Sequence, residues 1–173
     1  CAPSTRCMMA PMGTEIERKF LVTNDDWRSQ AVDSRSMAQG YLAADGPCSV
    51  RVRVSGDDAN INIKSAILGI ERSEFEFPIP VGEARALLET FCRDKLVSKT
   101  RHYVPYADHT WEIDVFDGAN KGLVVAEIEL GAVDEAFSQP AWAGREVSND
   151  RQYYNVSLVE YPYRDWPATD GDR

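Results

Sequence analysis

Residues 49–65 read SVRVRVSGDDANINIKS, and the alternation in this stretch decides the fold. Val50, Val52 and Val54 fall on one parity and Arg51 and Arg53 on the other; Ile61 and Ile63 then alternate with Asn60, Asn62 and Lys64. A period of two puts the two sets on opposite faces of an extended strand. Gly56-Asp57-Asp58 supplies a tight connector, so the stretch predicts a β-hairpin with one apolar and one charged face.

The same signature spreads outward from this hairpin. Residues 14–22 (TEIERKFLV) alternate Glu15, Glu17 and Lys19 against Ile16, Arg18 and Phe20. Residues 70–78 (IERSEFEFP) set Arg72, Glu74 and Glu76 against Phe75 and Phe77. Further strands are predicted over 36–43 (SMAQGYLA), 96–106 with Lys99, Arg101 and Tyr103 on one parity, 110–116 with Glu112 and Asp114, and 123–130 with Val125, Glu127 and Glu129. After Pro80 the period changes: Ala84, Leu87, Leu88 and Phe91 follow i, i+3, i+4, i+7, an amphipathic helix over 81–93. A helical turn over 24–31, weaker helices over 135–138 and 156–159, and a frayed tail from Pro162 complete the reading. Eight strands joined mostly by short connectors predict a mainly β (α+β) chain, an antiparallel sheet closed into an eight-stranded barrel with flanking helices. Residues 14–160 form its one domain, between a disordered or appended segment at 1–13 and a flexible C-terminal tail at 161–173.

Each strand taken alone fits an ordinary barrel with a solvated charged face. The composition of that face favours the inverse, with charges lining the interior and apolar faces packed outward. Lys19, Arg51, Arg53, Lys64, Arg72, Lys99 and Arg101 stand against the carboxylate pairs Glu15/Glu17, Glu74/Glu76, Glu112/Asp114 and Glu127/Glu129. Converging cations and carboxylates are what a site for phosphate plus a divalent metal requires. Glu15-x-Glu17-x-Lys19 spans about 13 Å of one strand face, and two carboxylates a strand step apart can share a hard, oxygen-seeking cation.

Composition narrows the partners. The 173 residues carry 19 Lys+Arg and 28 Asp+Glu, a net charge of −9, which argues against a protein that coats nucleic acid. No apolar run approaches the roughly 20 residues of a membrane-spanning helix. Cys1, Cys7, Cys48 and Cys92 lack the spacing of a zinc site, and their sparse use suits a reducing, cytoplasmic location. Neither GxxxxGK[ST] nor GxGxxG occurs.

EIERKFLV at 15–22, Gly40-Tyr41-Leu42, VRVRV at 50–54, Ile63-Lys64, Arg72-x-Glu74-x-Glu76, Lys99-Thr100-Arg101, WEIDV at 111–115 and VAEIE at 125–129 together resemble the CYTH family, the triphosphate tunnel metalloenzymes. The likeness runs in order over about residues 14–160, and Asp150-Arg151-x-Tyr153-x-Asn155 resembles the ending of the family's compact bacterial tripolyphosphatases. The resemblance implies an eight-stranded tunnel with a charged lumen and one or two Mg²⁺ or Mn²⁺ ions held by Glu15, Glu17, Glu127 and Glu129, with Asp114 a further acidic position. It implies that Lys19, Arg51, Arg53, Arg72, Lys99 and Arg101 grip the triphosphate. Lys64 and Tyr41 match a Lys–Tyr pair that serves as base for water activation in some members, a second metal being the other source of hydroxide. Glu74 and Glu76 are read as structural partners of the cations, Trp142 as a packing residue, and His102 and His109 as non-catalytic.

The reaction implied is hydrolysis of a short linear triphosphate, foremost inorganic tripolyphosphate to diphosphate and phosphate. A class IV-type adenylyl cyclase, a thiamine or nucleoside triphosphatase, and a non-catalytic polyphosphate- or nucleotide-binding module are the alternatives. The expected partners are the small-molecule substrate and, where the chain assembles, a second copy in a homodimer, with no membrane and no nucleic acid.

Overall fold

The computed structural model describes residues 13–93 and 95–167; the expectation for the first residues falls outside them. Nine strands form one antiparallel sheet: β1 Gly13–Val22, β2 Asp33–Ala43, β3 Cys48–Ser55, β4 Asp58–Ser65, β5 Glu71–Pro78, β6 Leu96–Tyr106, β7 His109–Phe116, β8 Val124–Glu129 and β9 Ala143–Glu146. Their order is β5-β4-β3-β2-β6-β7-β8-β1-β9, and an added β5–β1 pairing closes the first eight into a barrel. Closure divides one edge of β1: residues 13–16 pair with β5, while Phe20 and Val22 pair with β9. Helix α1 (Val81–Phe91) crosses between β5 and β6, and the short helix α2 (Ser157–Glu160) follows β9. None of these helices is long and apolar enough to cross a membrane.

The deciding hairpin forms as its alternation predicts. Ser55 pairs with Asp58 across a two-residue turn, and Gly56 takes the left-handed backbone (φ 60°) that such a turn demands of its first central residue. Residues directly opposite in an antiparallel pair share a face. Arg51 opposite both Tyr41 and Asn62, Arg53 opposite Gln39 and Asn60, and Lys19 opposite Glu127 therefore carry one polar face around the barrel.

That polar face is the inside. The apolar faces lie outside, buried under covering elements in two clusters. In one, Ile16, Phe20, Val104, Trp111, Ile113 and Ile128 pack under Trp27 and Trp142. In the other, Val52, Val54 and Ala59 pack under Ala84, Leu88 and Cys92 around α1. A third cluster (Val97, Phe116, Leu123, Val125, Tyr153, Leu158) joins barrel residues to the C-terminal segment. Val97 and Val125 share the lumenal parity of Lys99 and Glu127, so this cluster stoppers one end of the barrel with apolar side chains.

Four elements depart from expectation. β9 is a four-residue strand, too short to show a period, and its sequence mark is instead Gly144, where a Cβ would meet Thr23 Cγ2 at 2.5 Å. Residues 135–138 are not helical; Glu135 accepts from His109 Nε2 at 2.8 Å and from the Gly131 amide. The helix after Pro80 ends at Phe91, two residues short of the predicted span. The described part of the tail is docked rather than frayed: Tyr163 donates its amide to Asn120 and Trp166 stacks edge-on against Tyr153.

Gly40 sits where α1 presses closest on the barrel. A Cβ there would lie 2.5 Å from Cys92 Cβ and 3.0 Å from Leu88 Cδ2. Gly40→Ala is therefore an overpacking change, expected to destabilise by about 1–3 kcal/mol. Thermal unfolding checks it: a melting temperature lowered by several degrees is predicted, and an unchanged one would mean that α1 docks elsewhere.

Candidate active site

Every barrel strand contributes a polar side chain to a lumenal cavity of about 210 Å³. Tyr154, Asn155 and Val156, just before α2, complete its wall. Alternation on β1 delivers Glu15, Glu17 and Lys19 to it, and the β3–β4 hairpin delivers Ser49, Arg51, Arg53 and Lys64.

Ion pairs cross the lumen in two tiers. In the first, Lys64 Nζ donates to both oxygens of Glu15 at 2.7 and 2.8 Å and lies 3.4 Å from Glu74. Arg72 Nη2 reaches Glu15 at 3.3 Å and Glu17 at 3.5 Å. In the second, buried Glu127 receives Lys19 on one oxygen and Arg101 on the other. Arg101 also grips Asp114 bidentately, each contact at 2.7 Å, and pairs with Glu112. Asn62 orients the carboxylates of Glu74 and Glu76, and Arg53 reaches Glu76 at 3.3 Å.

Charge states follow from these contacts. Burial opposes the Lys19 ammonium, yet the carboxylates of Glu127 and Glu17 outweigh it and hold its pKa above the ordinary lysine value. Burial likewise opposes the Glu127 carboxylate, and Lys19 and Arg101 override it, holding the group well below the usual range. Tyr41 is lifted by burial despite the nearby Arg51, so its hydroxyl remains a donor. Lys99 is lowered to about 8 by burial and by Arg101, against the attraction of Asp114.

Two groups stand outside this pairing. Among the described residues, Arg51 forms no ion pair with a carboxylate, and its Nε is buried without a partner. Among the described residues the Glu129 side chain makes neither hydrogen bond nor ion pair, and burial together with repulsion from Glu15, Glu17 and Glu74 raises its pKa against the attraction of Lys64. The lining holds six cations and seven carboxylates (6 − 7 = −1), with one member of each sign lacking a partner.

The structure brings together Glu15, Glu17, Lys19, Tyr41, Arg51, Arg53, Lys64, Arg72, Arg101, Glu127 and Glu129 around this cavity. Lys99 and Asp114 are not in its wall. They pair with each other, 2% and 0% exposed, and Asp114 has both oxygens engaged by Lys99 and Arg101. Lys64 faces the carboxylates of Glu15 and Glu74, and among the described residues no hydrogen bond joins it to Tyr41, its partner in the Lys–Tyr pair that the resemblance implies. Sequence reading passed over Tyr154, which lies on irregular backbone where no period assigns a face.

Among the described residues no three acidic, histidine or cysteine side chains already converge as metal ligands. The donor chemistry nevertheless fits a hard divalent cation: Glu129 is a carboxylate with no ion pair among the described residues, and repulsion from Glu15, Glu17 and Glu74 outweighs the attraction of Lys64.

Comparison with known proteins agrees with this geometry. A model of the CYTH domain matches residues 13–161. The chain is 44% identical over 155 residues to an inorganic triphosphatase of Acetivibrio thermocellus, covering 90% of this chain and 99% of that protein. It is 37% identical over 151 residues to an inorganic triphosphatase of Nitrosomonas europaea, covering 84% and 97%. The crystal structure of an inorganic triphosphatase superposes with a TM-score of 0.61 at 33% identity, over 84% of this chain and 97% of that one.

Unequal pairing predicts unequal responses to neutralisation. A carboxyl with a raised folded-state pKa destabilises the fold once pH rises through that value and it ionises. Glu129→Gln should therefore raise the melting temperature of the metal-free protein at pH 7, with the gain fading by pH 4. Glu127→Gln leaves Lys19 with Glu17 alone and Arg101 with Asp114 and Glu112, and should cost about 3 kcal/mol, the lower end for breaking a buried pair from one side. Equal effects in a side-by-side melting series would overturn this assignment of pairs.

Proposed function

Because the chain belongs to the CYTH domain family, we propose that its lumen binds and hydrolyses short linear triphosphates, inorganic tripolyphosphate foremost. The observation that carries the reading is the pair of groups on opposite sides of the cavity that form no ion pair among the described residues: Arg51, without a carboxylate on it, and Glu129, without a cation in contact. A metal-bound polyphosphate supplies an anion to the one and a cation to the other.

Arg51, Arg53, Arg72, Arg101 and Lys19 bind the phosphate oxygens, the planar guanidinium forks taking them in pairs. Tyr41 adds a hydroxyl donor. Glu15, Glu17 and Glu129 hold Mg²⁺ or Mn²⁺, which when bound neutralises phosphate charge and polarises the phosphorus under attack. Glu127 and Asp114 serve as counter-ions that fix Lys19, Arg101 and Lys99, because their oxygens are committed to those cations. Lys64 acts as a further clamp that exchanges Glu15 for phosphate; its contacts with Glu15 and Glu74 are those of an ammonium.

Water then attacks a terminal phosphorus in line with the bridging oxygen. One P–O bond forms as the bridging P–O bond breaks, and diphosphate leaves with orthophosphate as the second product. Five cationic side chains meet the charge that develops on the transferring phosphoryl group. The wall suits an inorganic chain, since among the described residues Val156 is its one aliphatic member, the rings of Tyr41 and Tyr154 are its aromatic ones, and the rest of the lining is polar or charged. We place the protein in the cytoplasm, where Cys48 and Cys92 stay as the free thiols seen here.

Incubation with Mg²⁺ or Mn²⁺ and, separately, tripolyphosphate and ATP tests the reaction. Orthophosphate release is expected from tripolyphosphate, with ATP a poor substrate and no cyclic AMP; cyclic AMP as the main product would replace this reading by cyclisation. Lys64→Arg tests the clamp. It should keep kcat within a few-fold with an altered KM, whereas a fall of about 10²–10⁴ in kcat would make Lys64 the base.

A further inference from the structure

Arg72 differs from the other phosphate-facing cations in what lies behind it. Its guanidinium carbon sits 5.2 Å from the ring centroid of Tyr154, in cation–π range. Toward the lumen, among the described residues, it makes only the two long contacts, at 3.3 and 3.5 Å, to Glu15 and Glu17, and its Nε is buried without a partner there. Those carboxylates are the ones assigned to the metal, so Arg72 gives up that attraction when they take up another cation.

Tyr154 has no such competing task. It is buried, 8% exposed, and its hydroxyl ties together two separate backbones: it donates to the Ser148 carbonyl at 2.9 Å and accepts from the Gly69 amide at 3.2 Å. Gly69 lies in the turn that leads into β5, three residues before Arg72, and takes a positive φ of 137°. The hydroxyl thus fixes the base of the strand that carries Arg72, and the ring supports the guanidinium itself. Both anchors come from the C-terminal segment, not from the barrel.

Resting on the tripolyphosphate reading above, we propose that Tyr154 is the positioning residue for Arg72: it keeps the guanidinium aimed into the lumen after Glu15 and Glu17 turn to metal, and so sets affinity for the triphosphate chain. Tyr154 touches no reacting atom in this scheme. It acts through Arg72 alone, which makes the two side chains energetically dependent.

A double-mutant cycle with Tyr154→Leu and Arg72→Ala, read as KM and kcat for tripolyphosphate, tests it. Tyr154→Leu should raise KM roughly 5- to 30-fold, the span of a desolvated cation–π contact, with kcat changed less. Adding Tyr154→Leu to Arg72→Ala should leave KM within about twofold of Arg72→Ala alone. Tyr154→Phe, which keeps the ring and loses the hydroxyl ties, should fall between parent and Tyr154→Leu. Binding of tripolyphosphate by calorimetry without metal gives a readout independent of turnover: there, with Glu15 and Glu17 still holding Arg72, Tyr154→Leu should weaken binding less than it raises KM. Multiplicative effects in the cycle, or a Tyr154→Leu loss confined to kcat, would overturn the proposal while leaving the hydrolysis reading intact. A parent protein that neither binds nor cleaves tripolyphosphate would instead remove the reading on which it rests. Should Tyr154→Leu fail to fold, Tyr154→Phe carries the cycle, with additivity against Arg72→Ala the overturning result.

Discussion

Glu127 holds one cation from each flank of β8, Lys19 from β1 and Arg101 from β6, and this buried triad anchors the deeper tier of lumenal charges. Removing an ion from water costs several kcal/mol even after relaxation, so a closed barrel tolerates interior charge only where each is met by an opposite one. Lys19 and Glu127 illustrate the balance. Burial opposes the charged form of both, and their mutual attraction, with Glu17 and Arg101 beside them, reverses the outcome for each. Arg101 extends the same neutralisation to Asp114 and Glu112, and Asp114 to Lys99.

A polar interior obliges the apolar residues to pack outward, and it explains the elements that decorate the barrel. Trp27, Trp142 and α1 have no role in the lumen, yet without them Trp111, Ile113, Val52 and Val54 would face water. The site's rigidity and the outer cover are thus two consequences of one alternation. Pairing inside leaves few groups without an ion-pair partner among the described residues, and in the proposed reading those groups, Arg51 and Glu129, are where ligands of opposite sign enter. Lys64 and Arg72 occupy the carboxylates of Glu15 and Glu17, so on the proposed reading polyanion and metal would each release what the other needs. Reciprocal coupling of that kind would make each ligand raise the affinity for the other.

Period-two alternation in SVRVRVSGDDANINIKS and EIERKFLV made the strands, the hairpin and the lumenal parity legible, because strand geometry alone turns parity into facing. The choice between inside and outside also came through, since seven cations opposite paired carboxylates make no ordinary solvated surface. Depth along the barrel did not. Lys99 and Asp114 share parity with Arg101 and Glu112, and only register and the apolar stopper around Val97 and Phe116 show that they lie beyond the cavity wall. Lys64 illustrates a different gap: sequence puts it beside Arg51 and Arg53, whereas closure of β5 onto β1 brings Glu15 across to it. β9 and Tyr154 were hidden because a four-residue strand and a turn carry no period to read.

Anomalous scattering from Mn²⁺, in crystals grown with the non-hydrolysable imido analogue of tripolyphosphate, tests the inside-out site most directly. The account predicts a manganese peak within coordination distance of Glu15, Glu17 and Glu129, with analogue phosphates on Arg51 and Arg53 and with Lys64 and Arg72 withdrawn from Glu15. Manganese on the Lys99–Asp114 side of the barrel, or analogue bound only on its outer surface, would contradict it.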